Sequence, residues 1–231
     1  QPPWRKKGKY YSELLMIDDK PSLVTIKQAN DKLHVKVESP EKVHLSEVKE
    51  RINYIFDLKF DIEAFYDFLY SYPPLDSIVD YSRGLRLFLA KDAFECVISS
   101  IASANCSIRR WTRAIDNMKR LWGQGYAFPG GKFYSFPSPD VLASLDDDSL
   151  RAAGLGYRAK YIIGTSKKIT RIKLDGMDYD EAFHLFLELP GVGPKVADCI
   201  LLYGFRKLEA FPVDVWIQKI MEHFFRIDYK R

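Results

Sequence analysis

Leu189-Pro190-Gly191-Val192-Gly193-Pro194-Lys195-Val196-Ala197-Asp198 reads as a tight glycine turn with a helix on each side, the whole unit spanning about residues 185–204. Proline disfavours helical geometry in the residue before it, so the first helix must stop before Pro190. Gly191 and Gly193 allow a compact positive-φ turn with outward amides, and Pro194 suits the first turn of the next helix. Outward amides at the positive end of a helix form an anion cradle. They can donate to a DNA phosphate without reading any base. A plain turn between packed helices would account for the glycines, whereas paired glycines followed by Lys195 exceed what a turn requires.

Lys195 falls on the first turn of the second helix, where a cation opposes the helix dipole at a cost of a few tenths to ~1 kcal/mol. The same field favours the neutral, nucleophilic amine, which suits attack on an electrophilic sugar carbon. A phosphate-binding lysine is the bland alternative. Further on, Phe211-Pro212-Val213-Asp214-Val215-Trp216 puts Asp214 at the start of a last helix, with core positions expected at Val215, Ile217, Ile220, Met221 and Phe224. Alone, Asp214 is an ordinary N-cap. Capping and catalysis are compatible, because helix-start amides hold a carboxylate ready to stabilise positive charge.

Outward from this unit the chain is mostly helical. From Ser22 to Glu38 the apolar residues Leu23, Val24, Ile26, Leu33, Val35 and Val37 alternate around Asn30-Asp31, as in an antiparallel hairpin, and this is the one β region expected. After Pro40 helical spacing takes over, with Asp61, Asp92 and Ser107 as N-caps and Asp178 or Asp180 capping the helix before Pro190. Asn105 lies in the polar interruption Ser103 to Ser107, on an inter-helix loop. Phe128-Pro129-Gly130-Gly131 and Phe136-Pro137-Ser138-Pro139 mark an irregular stretch, and a Gly154-Leu155-Gly156 turn precedes a helix near Tyr157. The expected fold is therefore mostly α (α+β): a partial β domain over residues 1–40 and a helical region over 41–231.

At 231 residues, 47% apolar and 29% charged, the chain can bury a real core, which excludes disorder. No apolar run approaches the ~20 residues that span a membrane. The net charge is only +4, yet basic residues crowd Arg5 to Lys9, Arg109 to Arg120 and Arg158 to Lys173 among Trp111, Tyr157 and Tyr161. That mixture suits a polyanion as well as ordinary solvated faces. Cys96, Cys106 and Cys199 show no CxxC spacing, which favours a reducing compartment and disfavours a zinc site.

The chain resembles the helix-hairpin-helix (HhH-GPD) DNA glycosylases, in their 8-oxoguanine branch. Leu189 to Gly193, Lys195 to Cys199 and Pro212-Val213-Asp214-Val215 match the family's hairpin, catalytic lysine and catalytic aspartate in order and spacing. Asp92 to Asn105 and Gly154 to Tyr161 also match, so the similarity covers most of the chain after about Asp57. The resemblance implies a bifunctional glycosylase and AP lyase. Lys195 attacks the deoxyribose C1′, expels oxidised guanine and forms a Schiff base, while Asp214 stabilises the cationic sugar. The damaged base must leave the stack at a cost of a few kcal/mol. By the same resemblance Asn105 fills the vacated space, Tyr157 wedges beside it, Arg158 and Arg110 contact the widowed cytosine, and Cys199 lies against the flipped base. The hairpin, through Gly191, Val192 and Gly193, holds a phosphate. The backbone carbonyls of Leu187, Leu189 and Val192 hold a structural monovalent or divalent cation, with no other cofactor required. Bland alternatives stand beside each: a loop cap for Asn105, a packing residue for Tyr157, solvated charges for the arginines, a core thiol for Cys199.

The partner implied is double-stranded DNA with oxidised guanine opposite cytosine, bound by a monomer in the prokaryotic cytoplasm or the eukaryotic nucleus, not secreted. Two departures from the family pattern stand out: Trp216 where relatives can carry histidine, and a C-terminal helix of the base pocket that is expected to be missing. Alternatives are an alkylated-base glycosylase of the same superfamily, which uses water as nucleophile, and a non-catalytic DNA-binding hairpin module. An endonuclease III type enzyme needs four cysteines after the aspartate, and none follows Cys199.

Overall fold

The computed structural model describes residues 4–73, 75–169 and 176–227. Gln1 to Pro3, placed above in the β portion, and Lys173, the end of one basic run, lie outside them.

The chain opens with an antiparallel meander of β1 (Arg5–Lys7), β2 (Tyr10–Ile17), β3 (Lys20–Ala29) and β4 (Lys32–Glu38), in that spatial order. The β3–β4 hairpin turns at Asn30-Asp31 as its sequence predicts, with Asn30 at φ +52°. The expectation of a single β region is corrected at both ends. β1 is exposed at every position and shows no apolar alternation, as suits a charged edge strand. The β2–β3 turn is Asp18-Asp19, at φ +50° and +59°, a left-handed pair that aspartate tolerates but that lacks the Asn-Gly signature. Around the Pro129-Gly130 turn, β5 (Gly125–Phe128) and β6 (Gly131–Tyr134) pair as a small hairpin where an irregular stretch was expected.

The sheet buries both faces. Leu15, Ile17, Val24 and Ile26 pack with Trp4 onto Val48, Ile52 and Ile55 of α1 (Leu45–Ile55), while Leu14 and Leu23 on the opposite face meet Phe133 of β6. Then follow α2 (Ile62–Tyr70), α3 (Asp76–Ser82), α4 (Ala93–Ser103), α5 (Ile108–Trp122), α6 (Pro139–Ser144), α7 (Asp147–Leu150), α8 (Ala159–Ile169), α9 (Tyr179–Leu187), α10 (Pro194–Phe205) and α11 (Val215–Phe225). The caps are as the sequence predicts: Asp61, Asp92 and Ser107 accept from the third helical amide of α2, α4 and α5, and Asp178 forms a full capping box on α9. The second core gathers Ile98, Ile101, Ile115, Met118, Leu142, Leu155, Ile162, Phe186, Ala197 and Ile200 from α4 to α10.

Between sheet and helical core lies a buried ring of alternating charge. Lys91 Nζ sits 2.8 Å from Glu13 and 3.5 Å from Glu95, and Lys119 Nζ sits 2.7 Å from Glu95 and 3.9 Å from Glu13. Burial pushes the Glu95 carboxyl up, but the Lys91 and Lys119 ammoniums outweigh it and hold it down to about 2. The ring joins β2, α4 and α5 without net charge. Removing one member strands the others, a loss of about 3–5 kcal/mol for buried pairs. Glu95→Ala should therefore lower the urea midpoint steeply at pH 7. Because the folded-state value lies below the unfolded one, the wild-type contribution is full above about pH 4.5 and fades as pH falls towards 2. An unchanged midpoint in the variant would contradict this account of the ring.

Candidate DNA-binding and catalytic site

The hairpin between α9 and α10 is held by close approach. Gly191 has φ +80°, and a Cβ built there would lie 2.7 Å from Tyr161 Cβ, so both conformation and space demand glycine. Thr165 Oγ1 donates to the Pro190 carbonyl at 3.0 Å, and a Cβ on Gly164 would meet Pro190 Cγ at 3.0 Å, so α8 locks the turn from beneath. Gly193 departs from expectation: it is the N-cap of α10 at φ −103°, ψ −179°, extended backbone open to any residue, and a Cβ there would meet nothing within 4 Å. What its missing side chain supplies is open space over the amide edge. Among the described residues, the amides of Gly191, Gly193 and Lys195 donate to no acceptor in the chain. They are the orphan donors of a helix start, the physical requirement for anion binding.

Pro194 occupies the first helical position as expected, which puts Lys195 second. Cys199 lies one turn on, its thiol pushed up by burial and opposed by the hydrogen-bonded Lys195 amine. One more turn reaches Tyr203, whose hydroxyl is pushed up by burial and then by Cys199, Cys96 and Asp214. Lys195, Cys199 and Tyr203 thus form one stripe at i, i+4, i+8, and its far end faces the aspartate. No motif points to Tyr203; its spacing from Lys195 was the available signal.

Asp214 caps α11, its Oδ1 accepting the amides of Trp216 and Ile217 at 2.9 Å each. The expected core of that helix is not found, because no residue of α11 is buried. Val215, Ile220 and Phe224 stand exposed with Trp216, which is 67% accessible, and no described element covers that face. Behind α10, Asp198 is buried and accepts the Tyr179 hydroxyl at 2.7 Å, which, with burial as the larger cause, pushes that hydroxyl up to about 12. This pair ties α9 to α10 and fixes the two sides of the hairpin.

Across a cleft of about 330 Å³ from Gly191, Val192 and Gly193 stand Ala104, Tyr157, Arg158 and Tyr161. Asn105 is exposed at φ +47°, on the loop where it was expected. Tyr157 is 46% accessible and stacks edge-on to Tyr161 at 6.2 Å. Arg110 projects from α5 exposed, with no ion-pair partner among the described residues. Arg158 is different and corrects its expected exposure: it is 5% accessible, with no carboxylate partner among the described residues. Its Nε donates to the Ala104 carbonyl at 2.7 Å, Nη2 to the carbonyls of Ala104 and Asn105, the latter at 2.7 Å, and Nη1 to Leu155 at 3.4 Å. At the expected cation site, Leu185 and Phe186 carbonyls are taken by the turn amides and Leu189 accepts from Val192 at 3.1 Å. Among the described residues, no cluster of three metal-ligating side chains occurs.

Two family models cover the chain: the 8-oxoguanine DNA glycosylase N-terminal domain over residues 3–97 and the HhH-GPD superfamily base excision DNA repair protein over 98–231. The chain is 53% identical to a probable N-glycosylase/DNA lyase of Methanothermobacter thermautotrophicus, across 96% of this chain and 78% of that protein. It is 34% identical to an N-glycosylase/DNA lyase of Arabidopsis thaliana across 70% of this chain, spanning 47% of that relative. Among solved structures, the 8-oxoguanine glycosylase/lyase of Clostridium acetobutylicum in its apo form superposes with a TM-score of 0.84 at 27% identity, covering 97% of this chain and 78% of that one. The same enzyme on double-stranded DNA with cytosine opposite 8-oxoG gives 0.83, over 96% and 76%. The hairpin, the lysine at its helix start and the capping aspartate therefore belong to a known lineage, and the chain is a member of the HhH-GPD superfamily of base excision DNA repair proteins, in its 8-oxoguanine DNA glycosylase branch.

Proposed function

We propose that the protein removes 8-oxoguanine from duplex DNA and cleaves the strand at the resulting site. The observation that carries this is Lys195 at the open-amide start of α10, on a helical stripe that ends at Tyr203 beside Asp214. The hairpin amides hold a phosphate of the damaged strand, and the base leaves the duplex for the cleft side of α10. The Lys195 amine attacks C1′; the C1′–N9 bond breaks and its electron pair departs with the base, which takes up a proton. Asp214, fixed by two amide donors, offsets the positive charge developing on the sugar. Opening of the sugar ring gives the Schiff base, and β-elimination then releases the 3′ phosphate. Cys199 lines the approach of the base beside Lys195.

Asn105 takes the vacated place in the stack, Tyr157 wedges beside it, and the exposed Arg110 reads the opposite cytosine. Carbonyl oxygens of Leu187, Leu189 and Val192 are hard donors suited to a monovalent or divalent cation, which would strengthen the positive end of the hairpin towards phosphate. Residues 41–231 carry the chemistry and 1–40 the partial β domain. The enzyme acts as a monomer where chromosomal DNA lies, in a prokaryotic cytoplasm or a nucleus. The water-using alkylated-base chemistry of superfamily relatives leaves Lys195 without a role.

Borohydride trapping on an 8-oxoguanine duplex tests the nucleophile: wild type should form a stable protein–DNA adduct, and Lys195→Gln none, while damaged-DNA binding persists. Wild-type excision retained in Lys195→Gln would refute the assignment. Asp214→Asn should slow single-turnover excision by orders of magnitude yet cost at most ~1 kcal/mol of stability, since asparagine also caps helices. Unchanged turnover with a lower melting temperature would leave Asp214 as a cap alone. Affinity should fall about a hundredfold between about 50 and 200 mM salt if about four phosphates are engaged. Flat affinity over that range would exclude a phosphate-dominated interface.

A further inference from the structure

Arg158 is the buried cation that the chemistry above does not use. Its guanidinium lies against three backbone carbonyls and 4.5 Å over the Tyr157 ring, with no carboxylate among the described residues to neutralise it. A buried charge held only by carbonyl dipoles is costly, and it persists where the geometry it enforces is needed. Two of those carbonyls belong to Ala104 and Asn105, the segment between the end of α4 and the Ser107 cap of α5. Asn105 itself sits in the left-handed region at φ +47°, which costs an ordinary side chain and which asparagine tolerates best. On its other side, Tyr157 meets Tyr161, and Tyr161 packs against Gly191. One continuous chain of contacts thus runs from the Asn105 loop through Arg158 to the phosphate hairpin.

From this geometry we infer that Arg158 is a positioning residue: it clamps the Ala104–Asn105 backbone in the left-handed turn that presents Asn105 to the duplex, and opposite-base discrimination falls to Arg110. Nε and Nη2 are both engaged on the loop, and only Nη1 retains a weak contact. Arg110, exposed on α5, has its guanidinium free to meet a base edge. The catalytic part of this inference rests on the glycosylase assignment; the clamp does not.

Two measurements separate them. Amide hydrogen exchange without DNA should speed up at residues 103–107 in Arg158→Ala by about tenfold or more, the loss expected when charge-assisted hydrogen bonds to a loop are removed. Arg158→Lys, which keeps the charge and one donor direction, should recover part of the protection. In single-turnover excision, Arg158→Ala should slow the reaction about tenfold opposite cytosine and opposite adenine alike. A 2-aminopurine beside the lesion should report reduced base extrusion, and Asn105→Ala should add little to Arg158→Ala. Arg110→Ala should instead collapse the cytosine-over-adenine ratio. The inference is overturned if loop exchange is unchanged in both Arg158 variants, or if Arg158→Ala abolishes the ratio and adds fully to Asn105→Ala, as a direct cytosine reader would. Should wild type excise no 8-oxoguanine, the glycosylase assignment fails while the exchange experiment still decides the clamp.

Discussion

The molecule depends on one close approach: the hairpin backbone at Gly191 rests on the Tyr161 ring, where a single added carbon would collide. Because the turn sits that low on α8, Thr165 can hold the Pro190 carbonyl and the start of α10 is aimed outward rather than into the core. Everything that binds or reacts hangs from that placement. The orphan amides face the cleft, Lys195 follows one residue after Pro194, and Cys199 and Tyr203 repeat along the same face. Packing here sets chemistry, since the core side of α10 is sealed by Val196, Ala197, Ile200 and Leu201 and leaves one stripe for function.

The electrostatics divide the same way. Charges deep in the fold are compensated in closed groups: the ring of Glu13, Lys91, Glu95 and Lys119, and the pair of Asp57 with Arg206 at 2.8 Å. Charges at the DNA-facing edge are held by backbone dipoles instead: Asp214 by amides, Arg158 by carbonyls. Dipoles fix a charge in place without cancelling it, so its field remains available to a ligand.

Legibility in the sequence followed how local each cause was. The helix caps at Asp61, Asp92, Ser107 and Asp178, the Asn30-Asp31 turn and Pro194 at the start of α10 are decided within a few residues, and all were readable. The Lys195 and Asp214 pair was readable because the glycine hairpin is a rare local pattern. Strands β1, β5 and β6 were not: they owe their existence to a partner strand and to Arg5 stacking on Phe133 at 4.1 Å, contacts distant in sequence. Periodicity gave α11 an apolar stripe correctly but not what would cover it. Arg158 shows the same limit, for nothing in Tyr157-Arg158-Ala159 reveals that carbonyls more than fifty positions away close around it.

The bare face of α11 has a thermal consequence. A helix that buries nothing is held mainly by its cap and its own ladder, so its opening free energy lies at the low end of the molecule's range. Asp214 is that cap. As temperature rises, the carboxylate loses its two amide donors when the first turn of α11 frays, well before the cores around Phe186 and Ile55 melt. Heat inactivation and heat denaturation of this chain are therefore separate events, the first reversible and confined to one helix.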